Sequence, residues 1–353
     1  MTTLTKETSK GKLIRFVESI MSSLFSICLA LVLGALIILV IGENPIEAYV
    51  ALFKGALGSS QSIANTLSKS IPLVFTGLAV SMAQQGGMLN IGAEGQLHAG
   101  AIATALFALA FPELPRLIMI AGCIATGFLA GMLVGAIPGY FKAKRNTSEV
   151  IVAIMLNYLI TLFTSWLVNG PFKAEGAVSQ TNAVSQQAMF AKIWGNSQLT
   201  TALLLLILFA VLQYIFLWKS AKGFEARVVG GNRHAAVSAG MNATRLMIIT
   251  MMLSGGLAAM AGTTEVMGKY GRFIEGFSPS FGFTGIAVAV LGRNHPVGVL
   301  LTAFLFGILD TGALRMGRVT NVSINIIVVV QSLVILLVSA PELLKFLNWR
   351  KGE

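Results

Sequence analysis

Ten stretches of this chain contain no Asp, Glu, Lys or Arg and are dominated by apolar residues. They are 19–42, 70–93, 95–112, 117–141, 150–172, 193–218, 246–264, 276–292, 294–309 and 319–341. Crossing the roughly 30 Å hydrocarbon core of a bilayer takes about 20 helical residues. Most of the ten meet that length, while 276–292 and 294–309 read as short or broken helices. In lipid every backbone N–H and C=O must be paired within the structure, which makes the helix the expected element. The alternating ten-residue segments of a β-barrel do not occur. The expected fold class is therefore all-α, a polytopic helical membrane protein with about ten transmembrane helices.

Composition points the same way. Only 11% of the residues are charged, against about a quarter in soluble domains. That is too little charge to solvate a globular surface, and it excludes a soluble enzyme. The 37 glycines against 9 prolines suit close helix packing. Cys28 and Cys123 both lie in apolar runs and read as small buried residues, not as a disulfide or a metal site.

The net charge of +11 comes from cations placed between apolar runs. Nucleic-acid binding would gather them on a polar domain, so the pattern speaks for membrane orientation instead. With the N-terminus inside and ten spans, sixteen of the 25 Lys and Arg fall on the inner side. Lys142, Lys144, Arg145 and the group from Lys219 to Arg245 are among them. The positive-inside rule thus places both termini in the cytoplasm. The expected layout is a cytoplasmic segment 1–18, one transmembrane domain 19–341 and a cytoplasmic tail 342–353. An outer loop at 170–198 is rich in Ser, Gln and Asn, and an inner basic segment spans 219–245.

Polar residues inside this apolar frame are the candidates for function. Residues 86–100, GGMLNIGAEGQLHAG, set Asn90, Glu94, Gln96 and His98 among five glycines. A carboxylate near bilayer depth is costly unless it faces protein, water or a substrate path. Asn90, Glu94 and Gln96 are therefore expected beside a translocation pathway, together with Asn157 in the fifth run. The competing reading makes Glu94 a first-turn residue favoured by the helix dipole. His98 reads as a structural histidine. Gly127, Gly131, Gly135 and Gly139 form a row that lets a neighbouring helix approach closely. Asp310 is followed by Arg315 and Arg318, a cluster expected to end a span.

No catalytic set is present. His98, His234 and His295 are scattered without metal-ligand spacing, and neither Gly-Lys dipeptide is followed by Ser or Thr. The chain therefore lacks a phosphate-binding loop, and ATP used in transport would be hydrolysed by a partner. The inner segment KSAKGFEARVVGGNRHAAVSAGMNATR suits a short Ala-rich helix lying along the membrane surface and docking such a partner. An ordinary basic loop held by anionic lipid is the plainer alternative.

In that segment Gly231-Asn232, Ala235-Ala236 and Gly240-Met241 resemble the coupling segment of ATP-binding-cassette (ABC) import permeases of the simple-sugar and nucleoside branch. LNIGAEGQ at 89–96, SEVIVAIMLNY at 148–158 and YGRFIEGFSPSFGFTGIAVAVLGRNHPVG at 270–298 resemble the nucleoside subset. One departure stands at Ser148, where Asn is expected before Glu149. The resemblance runs from about residue 44 to 343. It implies a multi-pass permease subunit in a bacterial cell membrane that needs no cofactor of its own. Its implied partners are a cytosolic ABC ATPase, a second and often different permease chain, and a substrate-binding lipoprotein delivering nucleosides. Arg227, Gly231, Asn232, Arg233, Ala235, Ala236 and Gly240 would form the contact with the ATPase. The alternatives are a permease for a simple sugar such as ribose, or a stand-alone ion-coupled carrier. The carrier would need titratable groups at midplane, where Glu94 alone qualifies.

Overall fold

A computed structural model describes residues 28–195, 197–320, 322–323 and 325–339 of the chain. These residues form α-helices joined by turns, with isolated bridges in place of strands. They fall into two compact units, one of residues 56–308 and one combining the chain up to Gly55 with the chain from Leu309.

The larger unit begins with α3 (Ser60–Gln85), α4 (Ala93–Ala110), α5 (Arg116–Arg145) and α6 (Glu149–Asn169). It continues through α7 (Ala202–Tyr214), α8 (Ala221–Gly231), α9 (Arg233–Ser238), α10 (Ala243–Glu265) and α11 (Phe281–Leu291). The start of α12 (Pro296–Val319) closes it. Both α7 and α10 end in one π-helical turn, Ile215–Lys219 and Val266–Tyr270. The apolar windows of α3 and α10 are 83% and 78% buried, against 22%, 22% and 28% in α5, α6 and α7. The first two are thus interior helices, and the other three turn apolar side chains such as Leu133, Leu162 and Leu208 outward.

Glycine makes α10 the centre. Gly131 of α5 lies on the Gly255 carbonyl and the Ala259 methyl, while Gly255 lies in turn on the Gly131 carbonyl. Gly127 faces Thr263 and Thr104, and Gly135 and Gly139 face Met251. On the other side Gly100 of α4 meets Ala259, and Gly262 meets the Leu97 carbonyl. The glycine row of the fourth run is thus a close helix contact. Against Gly127, the hydroxyls of Thr104 and Thr263 share a 2.9 Å hydrogen bond that joins α4 to α10.

In the smaller unit, α1 (Cys28–Val40) and α2 (Pro45–Leu57) accompany residues 309–319 and α13 (Asn325–Ser339). Tyr49 donates to the Leu31 carbonyl at 2.6 Å, Gly34 lies against Val330, and Gly312 lies against Leu52.

Several sequence expectations change here. Six helices among the described residues are long and apolar enough to cross a membrane: α3, α5, α6, α7 and α10 with their π turns, and α12. The third run corresponds to α4 of 18 residues, and of run 276–292 only Phe281–Leu291 is helical. The uncharged run 294–309 does not mark the whole of α12: the helix continues through Asp310, which accepts a 2.7 Å hydrogen bond from Gln331, and Arg318 stands in its last turn, at the end of the span as expected. The Ala-rich inner piece is two helices, because Asn232 ends α8 and caps α9. Cys123 is buried as expected, whereas Cys28 is exposed. Segments 1–18 and 342–353 lie outside the described residues.

The contact between α5 and α10 gives a direct test. Any side chain at Gly131 must displace the backbone of Gly255, and overpacking typically costs about 1–3 kcal/mol and sometimes more. Gly131→Leu and Gly255→Leu are expected to abolish recovery of folded protein from the membrane, and Gly131→Ala to lower its melting temperature. Wild-type yield and melting in Gly131→Leu would refute the contact.

Candidate functional site

Two segments of irregular backbone interrupt the apolar helices, and they meet. The first follows α3. Gly86 and Gly87 turn the chain, with Gly87 at φ +79° and packed on Gly230, and α4 does not start until Ala93. The second is 271–280, which leads into α11 through Ser280 at φ +67°.

Side chains pair the backbone groups that helices would have paired. Asn90, fully buried, accepts from the Gly92 N–H at 3.0 Å and donates to Gln96 and Ser254, both at 2.7 Å. Ser254 passes the link on to the Ala79 carbonyl of α3. From α6, Asn157 accepts from the Gly95 N–H at 2.8 Å and donates to the Ile91 carbonyl at 2.9 Å. Gly95 sits directly on Asn157, where a Cβ has no room. Asn90, Gln96 and Asn157 are thus brought together as the frame that holds the start of α4.

Glu94 lies at the junction of both segments. It stands in the first turn of α4, and its carboxylate accepts a 2.7 Å bond from the Gly282 N–H in the first turn of α11. The Ser278 hydroxyl bonds the same carboxylate. Two helix N-termini therefore converge on one negative charge, the arrangement the helix dipole favours. Gly282 permits it, because its α-carbon rests on the backbone of Ala93 and Glu94. His98 Nε2 is 3.7 Å from Glu94, and its buried Nδ1 has no hydrogen-bond partner among the described residues. The imidazole sits edge-on to Phe277 at 5.1 Å and Phe273 at 6.2 Å. Beside this charge Pro279, Ser280 and Phe283 are exposed.

Ser254, Ser278, Gly282 and Phe277 were not singled out by the sequence. For Gly282 a signal exists in the Pro279 and glycine pattern of FSPSFGFTG, which breaks a helix. A second missed feature is the ion pair of buried Glu265 with Lys269, 3.1 Å apart at the end of α10. There the long loop after α6 bonds to the chain beyond α10, with Thr181 N–H to Phe273, Val184 to Gly271 and Phe190 to Met267.

The basic segment occupies the end of the unit where α3 and α5 finish. Arg227 donates to the Leu217 carbonyl at 3.0 Å and covers the Trp218 ring at 5.7 Å. Arg233 donates to the Ala143 carbonyl of α5 at 3.0 Å, and Ala236 is fully buried. These three seat the segment. Asn232 caps α9 through the Ala235 N–H at 3.0 Å. Gly231, Ala235, Val237 and Gly240 are exposed, and Gly240 lines a groove of about 670 Å³ between α8 and the start of α10.

Residues 62–339 match the family described as branched-chain amino acid transport system / permease component. The chain is similar to the nucleoside ABC transporter permease protein NupB of Lactococcus lactis, 39% identical over 84% of each chain. It is similar to the guanosine ABC transporter permease protein NupP of Bacillus subtilis, 34% identical over 95% of this chain and 97% of that one. The glucose ABC transporter permease protein TsgB13 of Haloferax volcanii is 32% identical over 90% of this chain and 86% of its own.

If Asn157 is a frame residue, Asn157→Leu strands the Gly95 N–H and the Ile91 carbonyl, at roughly 1–3 kcal/mol for each buried group. The purified variant is expected to melt well below wild type, while Glu94→Gln, which keeps an acceptor for Gly282, melts near it. Equal melting of Asn157→Leu and wild type would remove the frame role.

Proposed function

The chain belongs to the branched-chain amino acid transport system permease family, and from that premise we propose that it is the membrane-spanning subunit of an ATP-driven importer for nucleosides. The observation that carries the substrate class is the likeness, over nearly the full length, to permeases named for nucleosides and guanosine. A simple sugar is the second reading, favoured by the glucose permease at 32% identity.

In this reading the path runs past Glu94, Ser280 and Phe283. The carboxylate accepts hydroxyl protons of a ribose, and the exposed Phe283 ring offers a face to a base. Asn90, Gln96 and Asn157 keep that wall in place. Discontinuous helices whose N-termini meet within the membrane are a recurrent way to build a transport site. The proposed topology has ten spans within 19–341, with segment 1–18 and tail 342–353 both cytoplasmic, in a bacterial inner membrane. Segment 219–245 faces a cytosolic ABC ATPase, which supplies all ATP hydrolysis. A second permease chain completes the path, and a lipoprotein delivers substrate outside. No cofactor of this chain's own takes part.

Coupling follows from how the segment is seated. The outward face of α9 and Gly240 meets the ATPase, and Arg227, Arg233 and Ala236 carry its motion to α7 and α5. Ala236→Glu places a charge in the buried seat, so ATP hydrolysis is expected to continue while uptake fails. Ala235→Cys is expected to cross-link to the ATPase subunit; reaction from the outer face alone would overturn the topology.

The substrate test is uptake of labelled guanosine, cytidine and ribose by cells with and without this chain. Nucleoside uptake is expected to depend on it and to fall at least tenfold in Glu94→Gln with the complex still assembled. Ribose uptake alone depending on the chain would replace the first reading by the second.

A further inference from the structure

A cluster of rings joins the basic segment to the helix that holds Glu94. Where α7 passes into its π turn, Tyr214 and Trp218 stand one turn apart with their rings stacked at 5.6 Å and 16°. Arg227 of α8 covers the Trp218 ring and bonds the Leu217 carbonyl just before it. His295, in the turn between α11 and α12, meets both rings edge-on, at 4.9 Å from Trp218 and 6.0 Å from Tyr214. Edge-to-face contact is a favoured geometry for such rings.

The turn that carries His295 is stiff. Arg293 and Asn294 both have φ +54°, a left-handed geometry uncommon for residues other than glycine. The Asn294 carbonyl accepts from Ser81 at 2.8 Å and Gln85 at 3.2 Å, both on α3. His295 Nδ1 accepts from the Val297 N–H at 3.3 Å, at the start of α12. Gly292 and Gly298 lie backbone on backbone, where a Cβ has no room. From this joint the 11 residues of α11 lead back to Gly282, whose N–H bonds the Glu94 carboxylate. They form a rod about 16 Å long, set on α3 by Gly77 against Val288 and Gly285 against Thr76. No flexible segment separates His295 from the Glu94 end.

We propose that Trp218 and His295 are positioning residues that carry movement of the basic segment to Gly282 and so to Glu94. The inference rests on the importer reading above, in which an ATPase moves segment 219–245. Arg227 grips the π turn through both a hydrogen bond and a ring face, so displacement of α8 shifts Trp218. His295 stands against that ring, and its stiff turn passes the shift into α11. The N–H that Glu94 accepts from then moves relative to the carboxylate. A plain aromatic belt at the membrane surface would fix the depth of α7 and leave the transport obtained per ATP unchanged.

The test uses the whole transporter with its ATPase in proteoliposomes and reads ATP hydrolysed per labelled guanosine taken up. In Trp218→Leu hydrolysis is expected to continue while that ratio rises roughly fivefold or more, the lower end of typical coupling between sites. Trp218→Phe, which keeps a ring for Arg227 and His295, should stay within about twofold of wild type. His295→Asn keeps a side-chain acceptor for the Val297 N–H but has no ring, and it should raise the ratio as Trp218→Leu does. It decides the matter if Trp218→Leu does not assemble. Because the two residues act in series, the double variant should be no worse than the poorer single one, whereas independent effects would multiply. An unchanged ratio in His295→Asn, or multiplied losses in the double variant, would overturn the inference. Wild type that hydrolyses ATP and takes up neither nucleoside nor ribose is a separate result, which would remove the importer reading and this inference with it.

Discussion

Backbone groups inside a bilayer have to find their partners within the protein, and the rest of this structure depends on how the chain meets that demand where its helices break. Between α3 and α4, and again before α11, the main chain leaves helical geometry among apolar elements. Asn90, Asn157, Ser254 and Glu94 supply the missing acceptors and donors. The Glu94 carboxylate does this in the first turn of α4 and accepts from the first turn of α11, the position the helix dipole favours for an acidic side chain. A polar, irregular, well-held point within an apolar bundle results, and such a point is where a hydrophilic solute can be handed across.

Holding it requires a rigid backing, which α10 provides. Glycines on α4, α5 and α10 bring these three helices into backbone contact, so Ser254 reaches both Asn90 and the Ala79 carbonyl. The same helix begins at Asn242, beside the basic segment, and ends at the Glu265–Lys269 pair. One rigid element thus adjoins the segment proposed to meet the ATPase, the polar point at Glu94 and the loops at the far end. Movement of its first turn would be felt along its whole length.

Much of this was legible in the sequence. Continuous uncharged runs marked α5, α6 and α7, and the four-residue glycine spacing marked the contact face of α5. The turn around Glu94 stood out because charge, amides and glycine coincide there. What stayed hidden depends on partners distant in sequence. Ser254 reads as one small residue in a small-residue helix, and nothing local says that it meets Asn90, 164 residues away. Asp310 and Arg315 look like groups at the end of a span, and nothing local says that Asp310 pairs with Gln331 or that Arg315 lies on Gly55. That Arg227 and Arg233 each bond a carbonyl of the chain itself was equally hidden, since Leu217 and Ala143 carry no signal of it.

The most direct measurement is the water access of Ser280, next to Glu94, in the assembled transporter. Ser280→Cys is introduced after Cys28 and Cys123 are replaced by serine, and the rate of reaction with a membrane-impermeant thiol reagent is followed. Reaction should be rapid and slowed severalfold by saturating nucleoside, whereas Leu162→Cys on the outward face of α6 should stay unreactive. A Ser280→Cys protein that reacts only with lipid-soluble reagents, at a rate nucleoside does not change, would contradict a translocation path at the two helix starts.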